Sequence, residues 1–386
     1  MWIHASPAPV TGLAALAVRS LREFPRRLPA AAAANVLSSL GDLPPDGTGL
    51  LRLLMSRRLA HIVRAVCGEL PAIGGPDTAM SRLQEVAVAL ADLHLSELRV
   101  LREELAAKGV PLLVPKGTFY AASVYPQLEP PFGVDVDLVV RREDVEAVDA
   151  TLRRLGYTDD LAVRSNLPVR LPPARVAEEN AGFGYFGQGR GFVKLVRTPA
   201  LDGHADFLRQ VLPGYVVLLG GGQAYLCPSF DVHHSLNSLH DTPGAGFRPG
   251  EDDWWRAPQQ VRYRGVEFEA PDDVTVAWFA ANHLYADVML FGDGNLKILG
   301  DLIALVRAGR VDWAALAEVA GRHVALRPPV FYVFRMLRGV FGCDVPADFL
   351  AALDVPSPRD SAHFADFGDP LARLLDVRAE LTVGER

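Results

Sequence analysis

Two aspartates interrupt a β-branched run, Val134-Asp135-Val136-Asp137-Leu138-Val139-Val140, and no other stretch constrains the chain as much. The valines predict a strand from Val134 to Val140. Side chains alternate across a strand, so Asp135 and Asp137 share one face while Val134, Val136 and Leu138 share the other. Aspartate is disfavoured in strands, and two of them here need a reason. A solvated face is one reason. A bound divalent cation is a stronger one, because hard cations such as Mg2+ and Mn2+ take one or two carboxylates together with phosphate and water. Upstream, Pro111 to Val114 predicts a short strand that ends in the turn Lys116-Gly117-Thr118 before a helix from Thr118 to Tyr125. Glycine lets a backbone approach a phosphate closely, and Lys116, the Thr118 hydroxyl and the N–H groups of the helix start suit an anion. The turn by itself is a weak signal; its weight comes from the carboxylate strand that follows it.

A third stretch, Phe230-Asp231-Val232-His233-His234, places Asp231 and His233 on one strand face. The pair suits a third carboxylate beside an imidazole, able to activate an acceptor hydroxyl or hold a metal. It equally suits a strand edge closed by its own hydrogen bond. Near the C-terminus His283, Lys297 and Asp301 stand out in apolar helices and are candidates for the acceptor side. A histidine on such a face is more often a satisfied core residue. Gly220-Gly221-Gly222 lacks a following Lys-Ser/Thr and reads as a hairpin turn, and Ser229 lacks the Gly-x-Ser-x-Gly context of an acyl-transfer nucleophile.

The periodicity divides the chain into three parts. Residues 1–110 are expected to be helical, with helices over Leu13 to Phe24, Leu50 to Val66 and Ala79 to Lys108 broken near Leu43 to Thr48 and Gly74 to Pro76. The last helix carries the stripe Leu83, Val86, Leu90, Leu93, Leu101 and Leu105, interrupted at Glu97, and Gly109 ends it. Residues 111–270 form the α/β core, with a second helix from Glu143 to Leu155, a long loop over 158–182, and a hairpin from Phe183 to Val196 turning at Gly187 to Gly191. Strands follow over Tyr215 to Leu219, Tyr225 to His233 and Trp254 to Phe268. Residues 271–386 return to helices over Asp272 to Tyr285, Gly294 to Ala308, Trp313 to Gly321 and Pro328 to Phe341, with another near Leu371 to Leu381. The fold class is α+β.

Composition narrows the function classes. The chain has 386 residues, 39 basic and 46 acidic, for a formal charge of −7. That balance argues against a long nucleic acid as partner, since phosphate-backbone binding draws on a basic excess. The three cysteines, Cys67, Cys227 and Cys343, are scattered and suit a reduced, cytoplasmic protein in which they act as small core residues. The Met-Trp-Ile-His start has no basic segment followed by an apolar run, so no signal peptide is expected. No stretch of about 18 residues is free of charges and breaks, so no membrane span is expected either.

With these residues in hand, the chain resembles the uncharacterised bacterial nucleotidyltransferase-like family of the DNA polymerase beta-type nucleotidyltransferase superfamily. The matching pieces occur in order over residues 80–350: Leu113-Val114-Pro115-Lys116-Gly117; Asp135-Val136-Asp137 with the later Leu155-Gly156-Tyr157; Asp231-Val232-His233; and Ala281 to His283, Asp301-Leu302 and Asp312-Trp313. The resemblance implies a small mixed sheet of nucleotidyltransferase type between helical N-terminal and C-terminal regions. It implies transfer of a nucleoside monophosphate from an NTP to an acceptor with Mg2+ or Mn2+. Asp135, Asp137 and Asp231 would then be the catalytic metal ligands. Lys116, Gly117, Thr118 and His233 would contact the nucleotide. Two positions differ from the pattern. Gly117-Thr118 stands where Gly-Ser is usual, which keeps a hydroxyl, and Pro130-Pro131-Phe132-Gly133 stands where an Arg often precedes the aspartate strand. A nucleotide-binding protein without turnover, and a phosphotransferase or hydrolase using the same carboxylates, are the alternative readings. The acceptor, whether small molecule, peptide or protein, is not specified by any motif.

Overall fold

The computed structural model describes residues 7–38, 51–52, 54–55, 58–68, 79–181, 189–234, 251–288 and 295–355. It is α+β, with long helices and sheets of two or three strands. The described residues divide into two compact units: one runs over 79–276, and the other combines the residues before 79 with those from 277 onward.

The first unit begins with the helix Ala79–Ala106, which buries Leu83, Val86, Leu90, His94, Leu95, Leu98, Leu101 and Leu105. Glu97, the interruption in the apolar stripe, is not a solvent residue but a paired one: it accepts from the Tyr157 hydroxyl at 3.1 Å and from Lys194 Nζ at 2.9 Å. The helix closes on Gly109 with φ +72°, where Val110 N–H bonds the Leu105 carbonyl and Gly109 N–H that of Ala106. Only a residue without Cβ takes that left-handed cap at no cost. Residues 111–114 do not form the expected strand. Their pairing reduces to one antiparallel bridge, Leu113 with Val139, and a bond from Val114 N–H to the Glu269 carbonyl. The helix Gly117–Ser123 follows.

Next come β1 (Val136–Val139), the helix Val145–Arg154, β2 (Leu161–Arg164) and β3 (Leu167–Arg170), the helix Pro173–Ala181, β4 (Gly189–Val193) and β5 (Val196–Arg197). After them are β6 (Val216–Leu219), β7 (Gln223–Leu226), β8 (Ser229–His233), the short helix Glu251–Trp255, β9 (Gln259–Tyr263) and β10 (Val266–Ala270). The central sheet is mixed, in the order β1-β8-β4, with β1 parallel to β8 and β4 antiparallel to it. Its core is built on Leu138, Phe192 and Phe230, all without solvent exposure.

The described part of the segment expected as a loop, residues 158–181, folds into the β2–β3 hairpin and a helix. Its turn uses Ser165 and Asn166, both at positive φ, in place of the glycines that usually mark such turns. The expected turn glycines Gly189 and Gly191 are strand residues in β4, and residues 182–188 lie outside the described set. Tyr225 to His233 is two strands in two different sheets, divided at Pro228, which has no N–H to give a ladder. Trp254 belongs to a helix and not to a strand. Arg264 and Gly265, at φ +47° and +84°, make the turn that joins β9 to β10, inside the span Trp254 to Phe268 expected as strand.

The second unit is helical in its described residues: Pro7–Glu23, Ala30–Ser38, Ala60–Cys67, the part of Asp273–Ala286 from Ala277 onward, Leu296–Arg307, Trp313–Arg322, Arg327–Phe341 and Ala347–Ala352. The helix expected over Leu50 to Val66 is interrupted at Arg58, which takes φ +54° while Leu59 N–H bonds the Leu54 carbonyl, a helix end made without glycine. Arg307 ties two helix ends together by donating to the Phe24 carbonyl and, at 3.2 Å, to the Phe341 carbonyl. A cation suits both, because the last carbonyls of a helix lack partners. The expected breaks near Leu43 to Thr48 and Gly74 to Pro76, and the helix near Leu371 to Leu381, lie outside the described residues. All three cysteines are buried free thiols. No described helix is long and apolar enough to cross a membrane.

Candidate active and metal site

The register of β1 on β8 builds the site. Val136 pairs with Phe230, Asp137 with Asp231, Leu138 with Val232 and Val139 with His233. Asp137, Asp231 and His233 therefore project from the same face of adjacent strands. One ligand atom from each lies within 4.8 Å of the other two, a group able to hold a metal ion. The next strand leaves this face bare: Gly191 stands opposite Asp231 and Gly189 opposite His233. Arg190 between them points the other way, to Asp149 at 2.7 Å. Glycine inside a strand is often the mark of close approach by a ligand or another backbone.

Lys116 supplies a cation to the cluster. Its Nζ donates to Asp137 Oδ1 at 2.7 Å, and His233 Nε2 stands 3.3 Å from the same oxygen. Burial alone pulls the Lys116 ammonium down, but the carboxylates of Asp137, Asp135 and Asp231 outweigh it and hold its pKa above the ordinary lysine value. Burial pushes Asp137 up, and Lys116 and His233 together reverse this, so its carboxyl lies well below the usual range. Asp137 and His233 are 8% and 7% exposed, so this charge pairing takes place largely out of water.

The other sequence candidates are placed as follows. Asp135 is exposed, precedes β1 and stands outside the three-residue group, though within electrostatic reach of Lys116. Gly117 and Thr118 open the helix Gly117–Ser123 directly after Lys116. Pro130 to Gly133 is held from two sides: Gln84 Nε2 donates to the Pro130 carbonyl at 3.2 Å, and Phe132 packs edge-on against Tyr215 with ring centres 5.6 Å apart. His283, Lys297 and Asp301 belong to the helical unit. There Lys297 Nζ pairs with Asp301 at 2.8 Å, and His283 stands 3.4 Å from Asp287.

One contributor escaped the sequence reading. The buried His94 accepts the Ser229 N–H at its Nε2, at 3.2 Å, and Ser229 Oγ donates to the Val134 carbonyl at 2.7 Å. This polar bridge joins the starts of the two strands that carry the carboxylates. No motif announces it, because His94 lies on the apolar face of a helix and its partner is distant in sequence.

The model of a family described as uncharacterised nucleotidyltransferases matches residues 45–342. The chain belongs to that family. No curated protein and no solved structure matches it. The matched span includes Lys116, Asp135, Asp137, Asp231 and His233. The chemistry of the donors fits a divalent cation: two carboxylates and an imidazole within reach of one point.

Proposed function

We propose that this protein is a metal-dependent nucleotidyltransferase of the DNA polymerase beta type, moving a nucleoside monophosphate from an NTP to an acceptor nucleophile. The observation that carries the reading is the convergence of Asp137, Asp231 and His233, in a chain of a nucleotidyltransferase family. These three residues would hold Mg2+ or Mn2+, with Asp135 adding charge at the solvent-facing edge. A bound ion would neutralise phosphate charge and polarise the α-phosphate.

The chain's own groups have separate tasks in this scheme. Lys116 leaves Asp137 for the anionic triphosphate, to which the Gly117-Thr118 turn adds backbone donors and a hydroxyl. Asp231 accepts the acceptor proton as the new bond to the α-phosphorus forms. The bond from that phosphorus to the bridging oxygen breaks, and pyrophosphate leaves with the electron pair. The bare face at Gly191 gives the reacting groups space against the sheet. Small-molecule, peptide and protein acceptors are all compatible with the scheme, and the acidic net charge of −7 disfavours a long nucleic acid.

The test is label tracing with ATP carrying the label at either the α- or the γ-phosphate, in the presence of Mn2+ or Mg2+ and a panel of acceptors. Transfer of the α-label with release of pyrophosphate is expected. Transfer of the γ-label would replace the proposal with a phosphotransferase. Nucleotide binding with no pyrophosphate across the panel would favour a binding protein.

A further inference from the structure

We propose that His233 makes the Asp137–Asp231–His233 cluster selective for a divalent transition ion that accepts nitrogen, with Mn2+ held well ahead of Mg2+. The inference rests on the metal-dependent reading above and specifies its ion. His233 is two residues beyond Asp231 on β8, so both project from one face, and its Nε2 lies 3.3 Å from Asp137 Oδ1. Two donors on one ion, each at about 2.0–2.2 Å, stand no more than about 4.4 Å apart. A group already within 4.8 Å needs only a small closure to share an ion.

The backbone that carries the imidazole is also held in place. β8 is the middle strand of its sheet, and the His233 carbonyl accepts Val140 N–H at 2.9 Å. With 7% exposure, the ring has little room to leave the cluster for water. Mg2+ takes oxygen ligands in a strict octahedron and gives up water reluctantly, whereas imidazole suits transition ions. A buried nitrogen donor on this strand therefore penalises Mg2+ more than Mn2+. Glycines at the two β4 positions paired with Asp231 and His233 leave the remaining coordination positions unobstructed by that strand.

The experiment uses the full chain, stripped of metal with a chelator. Mn2+ binding is followed by the electron paramagnetic resonance of the free ion, Mg2+ by competition, and the bound Mn2+ by pulsed spectroscopy for coupling to a nitrogen nucleus. The wild type is expected to bind Mn2+ at least about tenfold more tightly than Mg2+ and to show imidazole nitrogen coupling. His233→Asp, checked for native circular dichroism, should lose that coupling and bring the Mn2+ to Mg2+ ratio down by about tenfold. Bound Mn2+ without nitrogen coupling in the wild type would overturn the assignment of His233 and leave metal dependence standing. A wild type that binds neither ion, and does not differ from Asp137→Asn, would overturn the metal-dependent reading itself.

Discussion

Asp137 and Asp231 stand directly opposite each other on the parallel strands β1 and β8. Like charges in that relation repel, and the repulsion is stronger where water is scarce. The chain offsets it with its own cation, since Lys116 Nζ lies 2.7 Å from Asp137 and its ammonium is stabilised by Asp137, Asp135 and Asp231 together. The facing carboxylates are thus compensated from within the chain, by an ion pair to Lys116.

Lys116→Met should therefore destabilise the metal-free protein. Removing one partner of a buried pair costs up to about 3–5 kcal/mol, and the partial exposure of Lys116 reduces this to roughly 1–3 kcal/mol. Mn2+ should recover much of the loss, so the rise in Tm on adding the ion should be larger in the variant than in the wild type. Thermal denaturation with and without Mn2+ checks this; an equal rise in both proteins would contradict it.

The two aspartates of the opening motif should differ in importance. Asp137→Asn removes a member of the converged group and should lower pyrophosphate release by about two to three orders of magnitude. Asp135→Asn changes an exposed carboxylate outside that group and should cost about tenfold or less. Single-turnover measurements on both variants test the ranking.

Stability should fall in mild acid because of His94. Burial holds its imidazole down at about 4 against 6.5 for a free histidine. The unfolded chain therefore takes up a proton that the folded one refuses, and stability declines as pH drops from about 6.5 toward 4. At pH 5 the loss from this group is roughly 2 kcal/mol. His61 in the helical unit, lowered to about 3 by burial and by Lys297 and Arg64, acts in the same direction. Urea unfolding at pH 7 and pH 5 should show a smaller difference in His94→Gln, which can still accept from Ser229 and does not titrate.

The β2–β3 turn should depend on Asn166 in two ways. Its side-chain amide donates to the Leu212 and Val216 carbonyls at 3.1 and 2.7 Å, and its backbone has φ +61°. Asn166→Gly loses only the bonds, roughly 2 kcal/mol. Asn166→Ala loses the same bonds and keeps the Cβ in a left-handed backbone, which glycine sheds, so it should be about 1–2 kcal/mol less stable than Asn166→Gly. Denaturant unfolding of the two variants separates the contributions; equal losses would remove the backbone part of the argument.

What could be read from the sequence was what local repetition encodes. The alternation of Asp135 and Asp137, and of Asp231 and His233, follows from the two-residue period of any strand, and the long helices follow from their apolar stripes. The family pattern added the order of the pieces. The turns at Arg58 and at Ser165-Asn166 carry no glycine to mark them, and at Asn166 the left-handed backbone is held by distant partners, Pro213 and Leu218. Glu97, which looked like a flaw in an apolar stripe, is explained only by Tyr157 and Lys194.

By itself, then, the sequence determined an α+β chain with an aspartate strand after a Lys-Gly turn, and a second acidic strand downstream. Tertiary structure decided that these strands are parallel neighbours in the one register that sets Asp137 against Asp231, draws His233 into the group and leaves Asp135 outside it. The physical reason is that strand pairing joins residues nearly a hundred positions apart. A shift of one residue would turn every side chain to the opposite face, and that choice is made by burial across the whole sheet.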